Sequence, residues 1–168
     1  CSLAAGNHAM IKISSSSENF GYVLEQALSE AFPEELVAVV NGGGSISDAF
    51  CRLPFDKMIF TGSTTVGKTV MAAAAENLVP VILELGGKSP VIAHSSISMA
   101  DVAQRLAFGK LWNSGQTCVA PDYLFLPKGK TAEFVENFRN IVTGMYPSLA
   151  HNADYTSIIN DKQYNRIQ

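Results

Sequence analysis

Charge is scarce in this 168-residue chain: Asp, Glu, Lys and Arg make up 16% of it, against an apolar share of 47%. So much apolar surface has to leave water, which excludes a charge-solvated disordered chain. Net charge is only −3, so no basic surface is expected to neutralise phosphates, and nucleic acid is not an expected partner. Cysteine is also sparse. Cys1, Cys51 and Cys118 are too few and too scattered for a disulfide framework or a zinc site. His8, His94 and His151 lack metal-ligand spacing, and no metal is expected. A reducing compartment, the cytoplasm, is the expected location. No run of about 18 apolar residues and no leader pattern occurs, so a soluble protein without a membrane partner is expected. There is no internal repeat, and no low-complexity tract exceeds the four serines at 14–17.

What is present is an alternation of short apolar runs and longer helical patterns. Strands are predicted over residues 9–13, 36–40, 57–60, 80–83, 90–93 and 123–126. The serine run ends as a predicted N-cap for a helix from Glu18, with Phe20, Val23, Leu24, Ala27, Leu28 and Ala31 on one face. Pro33 stops it. A short turn of helix is predicted over 46–50 and a longer helix over 65–77. Ser98 and Asp101 make a capping-box-like start for a helix that runs to about Trp112, with Val102, Leu106 and Leu111 turned inward. A loop over 113–121 follows. Phe134, Val135, Phe138, Ile141 and Val142 mark one more helix, and beyond Met145 the pattern weakens. The fold class is therefore α/β, a parallel Rossmann-like sheet with helices on both faces. In such sheets ligands bind where loops leave the carboxyl ends of strands. The loops at 42–44, 61–63, 84–87 and 114–118 are candidates.

The chain opens without Met and closes on a stretch, 161–168, that reads as the beginning of a helix. A piece of a longer protein is the expectation.

One loop reads three ways. Gly62-Ser63-Thr64-Thr65-Val66-Gly67-Lys68-Thr69 matches the phosphate-loop pattern G-x-x-x-x-G-K-[ST] at every fixed position. In that reading backbone N–H groups cradle phosphates, Lys68 reaches the terminal phosphates, Thr69 holds magnesium, and the protein hydrolyses a nucleotide. In the second reading Gly62 and Ser63 open a helix whose N-terminus faces a dinucleotide pyrophosphate. In the third it is a plain strand-to-helix turn. Taken alone, the loop does not separate them.

A second constellation concerns Cys118 in Ser114-Gly115-Gln116-Thr117-Cys118 and Glu84 in Leu83-Glu84-Leu85-Gly86-Gly87-Lys88. A thiolate attacks carbonyls well, and a carboxylate can take a proton from a thiol or from water. Read singly, such residues are ordinary. A cysteine in an apolar chain is more often a small buried side chain, as Cys1 and Cys51 are expected to be. A Glu after a strand is usually a solvated strand end, Lys12 a surface charge, and Trp112 core.

Taken together, the words around these residues resemble the aldehyde dehydrogenases. Residues 60–67 are similar to that family's nucleotide-loop signature. Residues 83–90 resemble its glutamate signature, and Gly115-Gln116-Thr117-Cys118 its cysteine signature. Ala4-Ala5-Gly6-Asn7 and Met10-Ile11-Lys12 resemble the strand that delivers a lysine to the cofactor. The words come in the family's order and cover nearly the whole chain. Residues 113–123, 31–35 and 53–56 further resemble the branch acting on fatty, aromatic and coniferyl-type aldehydes.

The resemblance implies NAD(P)+-dependent oxidation of an aldehyde to a carboxylic acid. Cys118 is then the nucleophile, its thiohemiacetal gives hydride to the nicotinamide of NAD or NADP, and Glu84 activates water to hydrolyse the thioester. The Cys118 N–H helps bind the oxyanion. Lys12 bonds the adenosine ribose, and Ser63, with Thr61 and Gly62, meets the pyrophosphate. Gly43 and Val66 border the adenine, while Leu85 and Gly86 lie at the nicotinamide end. Gly86 and Gly87 let the backbone pass close to the cofactor. The family commonly carries Glu three residues after the lysine. Here that place is Ser15, which does not repel a 2′-phosphate, so tolerance of NADP+ is implied. Residues 1–84 correspond to the cofactor-binding domain and 85–168 to the catalytic domain. The resemblance also implies a homodimer or homotetramer of the parent protein. The family's oxyanion asparagine and second glutamate fall outside these 168 residues, so little turnover is expected of them alone. An inactive fragment therefore stands beside the enzyme and the phosphate-loop hydrolase as a reading.

Overall fold

The structure, a computed structural model, describes residues 1–168. Three β-α-β segments make up most of it. β1 (Ala9–Lys12) and β2 (Val37–Val40) are parallel and joined through α1 (Glu18–Ala31). α2 (Gly44–Cys51) leads to β3 (Met58–Thr61), which lies parallel to β4 (Val81–Glu84) through α3 (Thr64–Ala75). β5 (Ser89–Ile92) pairs in parallel with β6 (Pro121–Phe125) through α4 (Met99–Leu111). α5 (Thr131–Met145) and α6 (Asp161–Ile167) follow. Parallel strands need a crossover, and one helix supplies it each time. The class is the expected α/β one. In place of a single continuous ladder, the strands hydrogen-bond as three separate pairs.

The chain divides into two compact units, Cys1–Glu84 and Leu85–Gln168. In the first, Met58, Val70, Ala74 and Val79 form the buried cluster, with Cys51, Phe55, Phe60 and Val81 packed against it. Ala73 and Ala74 let α3 lie close to its neighbours, since both are buried and neither carries a long side chain. In the second, Met99, Val102, Ala103 and Phe134 are buried, and Leu106, Leu124, Phe138 and Ile141 pack on them. α4 starts at a true cap: Ser98 Oγ accepts from the Asp101 N–H at 3.1 Å and donates to Asp101 Oδ2 at 2.6 Å.

Several side chains depart from their sequence-based placement. α1 turns Gly21, Leu24 and Leu28 inward and leaves Phe20 and Val23 at 60% and 67% exposure. Gly21 decides this. A Cβ there would meet Asn41 Oδ1 at 2.0 Å and Ile13 Cγ2 at 2.9 Å, so the helix approaches β1 and β2 along its smallest residue. Trp112, expected in the core, is 61% exposed because α4 ends at Leu111 and the chain turns away there. Val135 is exposed, since Phe134 and Phe138 already fill the α5 contact. Cys1 is exposed and Cys51 half-buried. The serine run forms a 3₁₀ turn, Ser15–Ser17, capped by Ser14, while the Ser17 side chain makes no cap bond to α1.

Candidate active site

In the first unit the candidate residues sit at the carboxyl ends of parallel strands. Lys12 ends β1, and its half-buried ammonium donates to Ile13 O at 2.5 Å and to Gly42 O at 2.7 Å. Two of its three donors are thus spent on backbone at the ends of β1 and β2, leaving one. Gly43 follows as the residue before α2. Ser15 lies exposed in the 3₁₀ turn after β1. Cys51, at the end of α2, has its thiol pushed up by burial and then by Asp48, against the opposing charges of Arg52 and Lys12.

Thr61 ends β3 opposite Glu84 at the end of β4. The Gly62 N–H extends that ladder by donating to Glu84 O at 3.0 Å. A Cβ on Gly62 would strike the Phe60 ring at 2.4 Å, so the turn folds closely over that ring and any larger residue would have to displace it. Ser63 caps α3, its Oγ accepting from the Val66 N–H at 3.3 Å, and Val66 is half-exposed on the first turn. The N–H groups of Thr64 and Thr65 have no intrahelical acceptor, as at any helix start.

This geometry removes the phosphate-loop reading. That loop requires free N–H groups leading up to Lys68. Here α3 already begins at Thr64, the Gly67 N–H donates to Ser63 O at 2.8 Å, and Gly67 is buried. Thr69, expected on magnesium, donates its hydroxyl to Thr65 O at 3.4 Å, a full turn inside the helix. What remains for an anion is the capped N-terminus itself.

In the second unit Leu85 and Gly86 lead into β5, and Cys118 lies on the loop before β6. Cys118 and Val119 are the central residues of a turn closed by the Ala120 N–H on Thr117 O at 3.0 Å. Ala120 is buried, Val119 is 70% exposed and the Cys118 thiol is exposed. A hypothetical Cβ on Gly87 would stand 2.5 Å from Cys118 O, while Ser89 Oγ donates to that same oxygen at 3.4 Å. The Cys118 carbonyl is therefore seated on Gly87, and its N–H is left without an intramolecular acceptor. Gly86 has nothing near its Cβ position. The absent side chain at Gly87 serves the cysteine turn.

Sequence reasoning assigned no role to Gln116, Ser114 or residues 156–159. The loop between α4 and the cysteine contains three consecutive left-handed residues: Asn113 (φ 51°), Ser114 (φ 54°) and Gly115 (φ 72°). Only glycine does this without steric cost. Gln116 Nε2 donates to Asn113 O at 3.0 Å and to Ser157 O at 3.1 Å. Its Oε1 accepts from the Ile159 N–H at 2.9 Å. Ser114 Oγ donates to Thr156 O. No local pattern announces the bonds to residues 156–159, because those partners lie some 40 positions away.

A profile of the aldehyde dehydrogenase family matches residues 1–168. The chain belongs to the aldehyde dehydrogenase family. It is 54% identical over 166 residues to a probable coniferyl aldehyde dehydrogenase of Pseudomonas aeruginosa, covering 99% of this chain and 35% of that protein. It is 48% identical to the coniferyl aldehyde dehydrogenase of a Pseudomonas species, covering 98% and 34%. A dimeric NADP-preferring aldehyde dehydrogenase of Mus musculus is 39% identical, with 98% and 37% covered. The chain thus spans about a third of the length of these relatives. Among solved structures, substrate-bound Staphylococcus aureus AldH aligns with a TM-score of 0.90 at 39% identity, covering 98% of this chain and 36% of that one. An NAD+ complex of a Mycobacterium tuberculosis aldehyde dehydrogenase aligns at 0.85 and 31%, covering 98% and 35%. No helix is long and apolar enough to cross a membrane.

Proposed function

We propose that this chain carries the cofactor-binding and nucleophile-bearing segments of an NAD(P)+-dependent aldehyde dehydrogenase. The enzyme oxidises an aldehyde to a carboxylic acid through a thioester on Cys118. Residues 1–84 belong to the cofactor domain and 85–168 to the catalytic domain. The observation that carries the reading is the setting of Cys118: an exposed thiol on a turn whose own N–H is unpaired. Sγ attacks the aldehyde carbon, and that N–H, which has no acceptor of its own, donates to the oxygen as negative charge develops on it. Bound NAD(P)+ supplies the acceptor for the oxidation. Glu84, exposed at the end of β4, takes a proton from the water that hydrolyses the thioester.

The residues present suit the cofactor. The capped start of α3, with Ser63 and the N–H groups of Thr64 and Thr65, is a ready anion site for a pyrophosphate. Lys12 retains one donor for a ribose hydroxyl. Thr61, Gly62, Gly43 and Val66 line the same strand ends, and Leu85 and Gly86 serve the nicotinamide end. Ser15 stands where a carboxylate would repel a 2′-phosphate, which fits use of NADP+ as well as NAD+. The two Pseudomonas relatives favour an aromatic, coniferyl-type aldehyde, and the parent assembly is read as a dimer or tetramer.

A thermal-shift titration with NAD+, NADP+ and Mg-ATP tests this. A ligand that binds only the folded chain stabilises it by about 2.7 kcal/mol at a hundred times its Kd. Stabilisation by NAD+ or NADP+ and none by Mg-ATP is expected. A response to Mg-ATP alone would overturn the proposal.

A further inference from the structure

We infer that Gln116 is a positioning residue for Cys118, acting by fastening the cysteine loop to residues 156–159. The inference rests on Cys118 being the nucleophile. Its starting point is cost. Left-handed backbone is sterically unfavourable away from glycine, and Ser114 adopts it directly after Asn113, a residue type that tolerates it better. Such conformations persist only where the surroundings over-determine them. Gln116 supplies that determination.

Every polar group of its side-chain amide is used. Both Nε2 hydrogens go to carbonyls, Asn113 O at 3.0 Å and Ser157 O at 3.1 Å, and Oε1 takes the Ile159 N–H at 2.9 Å. The amide can adopt only this orientation. Reversed, its oxygen would face two carbonyl oxygens and its NH₂ an N–H. The backbone adds to the hold: the Gln116 N–H donates to Asn113 O at 3.0 Å, and Asn113 Nδ2 donates to Gln116 O at 3.2 Å.

The far side of the clamp is itself anchored. Tyr155 packs edge-on against Tyr146 at the end of α5, with ring centroids 4.9 Å apart. Asn160 caps α6, its Oδ1 accepting from the Gln163 N–H at 3.0 Å. Residues 156–159 therefore run between two helices, and Gln116 ties the loop to that fixed span. Cys118 is two residues further on, with its carbonyl seated on Gly87. Clamped at Gln116 and seated at Gly87, the turn holds both the thiol and its N–H in one place.

The test compares the 168-residue chain with Gln116→Ala and Gln116→Glu. Glu matches Gln in size and keeps the acceptor for Ile159, but it sets a carboxylate oxygen against Asn113 O and Ser157 O. One readout is hydrogen exchange at the Ile159 amide. The second is addition of a ¹³C-carbonyl aromatic aldehyde to Cys118: an S–C bond forms, the C=O π bond opens and the thiol proton ends on oxygen, with no oxidant. The third is alkylation of Cys118 by iodoacetamide, which does not use the N–H. Gln116→Ala is expected to speed exchange at Ile159 about tenfold, the worth of one hydrogen bond. Both variants are expected to lower aldehyde addition about tenfold while alkylation changes less than about threefold. Hydrogen exchange at Ala103, buried in the core of the same unit, reports whether a variant is folded. Exchange at Ile159 that ignores Gln116→Ala overturns the clamp. Faster exchange with unchanged aldehyde addition overturns positioning, and so does a Gln116→Glu chain that behaves as wild type, since a space-filling role would tolerate it. No addition by the wild-type chain, with exchange still responding, would overturn the nucleophile reading of Cys118 and leave the clamp standing.

Discussion

Gly86 and Gly87 are adjacent, and the structure gives them opposite responses to the same substitution. At Gly87 an alanine Cβ lands 2.5 Å from Cys118 O, whereas ordinary contact begins at 3.4 Å, so about 0.9 Å must open. The obstacle is backbone, held by the Ser89 hydroxyl and by the turn that the Ala120 N–H closes. That carbonyl cannot rotate away as a side chain could. Overpacking of this kind costs about 1–3 kcal/mol. At Gly86 no heavy atom lies within 4 Å of the added Cβ, and φ is not in the left-handed region. Alanine there restricts only the unfolded chain and stabilises by about 0.4–1 kcal/mol. Urea unfolding of the two variants should therefore separate them by at least about 1.5 kcal/mol. Hydrogen exchange should show the loss concentrated at Ala120 in Gly87→Ala. Midpoints that agree within about 0.5 kcal/mol, the scatter of neutral surface changes, would refute the packing argument.

Other outcomes follow from the same geometry. Ser98→Ala removes the α4 cap and should cost about 1 kcal/mol in urea unfolding, with Ser98→Asp recovering most of it. The Cys51 thiol is held above its ordinary value of 9.0, chiefly by burial, so the fold binds that proton more tightly than the unfolded chain does. Its contribution is complete below that value and is lost as pH rises through the folded one. Cys51→Ala should flatten the fall in Tm above about pH 9, and an unchanged slope would show the thiol is not responsible. Ser15→Glu should raise the Kd for NADP+ relative to NAD+ in a thermal-shift titration by about fivefold, since two like charges 4 Å apart repel by about 1 kcal/mol even in water.

The main elements were legible in the sequence because their causes are local. Four- to six-residue apolar runs bounded by Gly, Pro and Ser marked all six strands within a residue or two. Ser98 and Asp101 marked the start of α4, and Ser63 the start of α3. Family membership was legible for a related reason: the words around Glu84 and Cys118 are contiguous. Faces were less legible. Periodicity put Phe20 and Val23 inward on α1, yet the helix rests on Gly21, a choice made by Asn41 and Ile13 from other elements. Apolar character put Trp112 in the core, yet the end of α4 leaves it exposed.

By itself, then, the sequence determined the order of strands and helices, the cap of α4 at Ser98, and membership of the family. Each of those follows from neighbours within a few residues. For residues 62–69 the tertiary structure supplied a physical reason against the phosphate-loop reading that the family resemblance already disfavoured, because the start of α3 at Thr64 shows which N–H groups are already taken. It alone showed what Gly87 makes room for and what Gln116 holds. Those contacts join residues some 30 to 40 positions apart, and a hydrogen bond or a close approach depends on where folding places two groups, not on how near they stand in the chain.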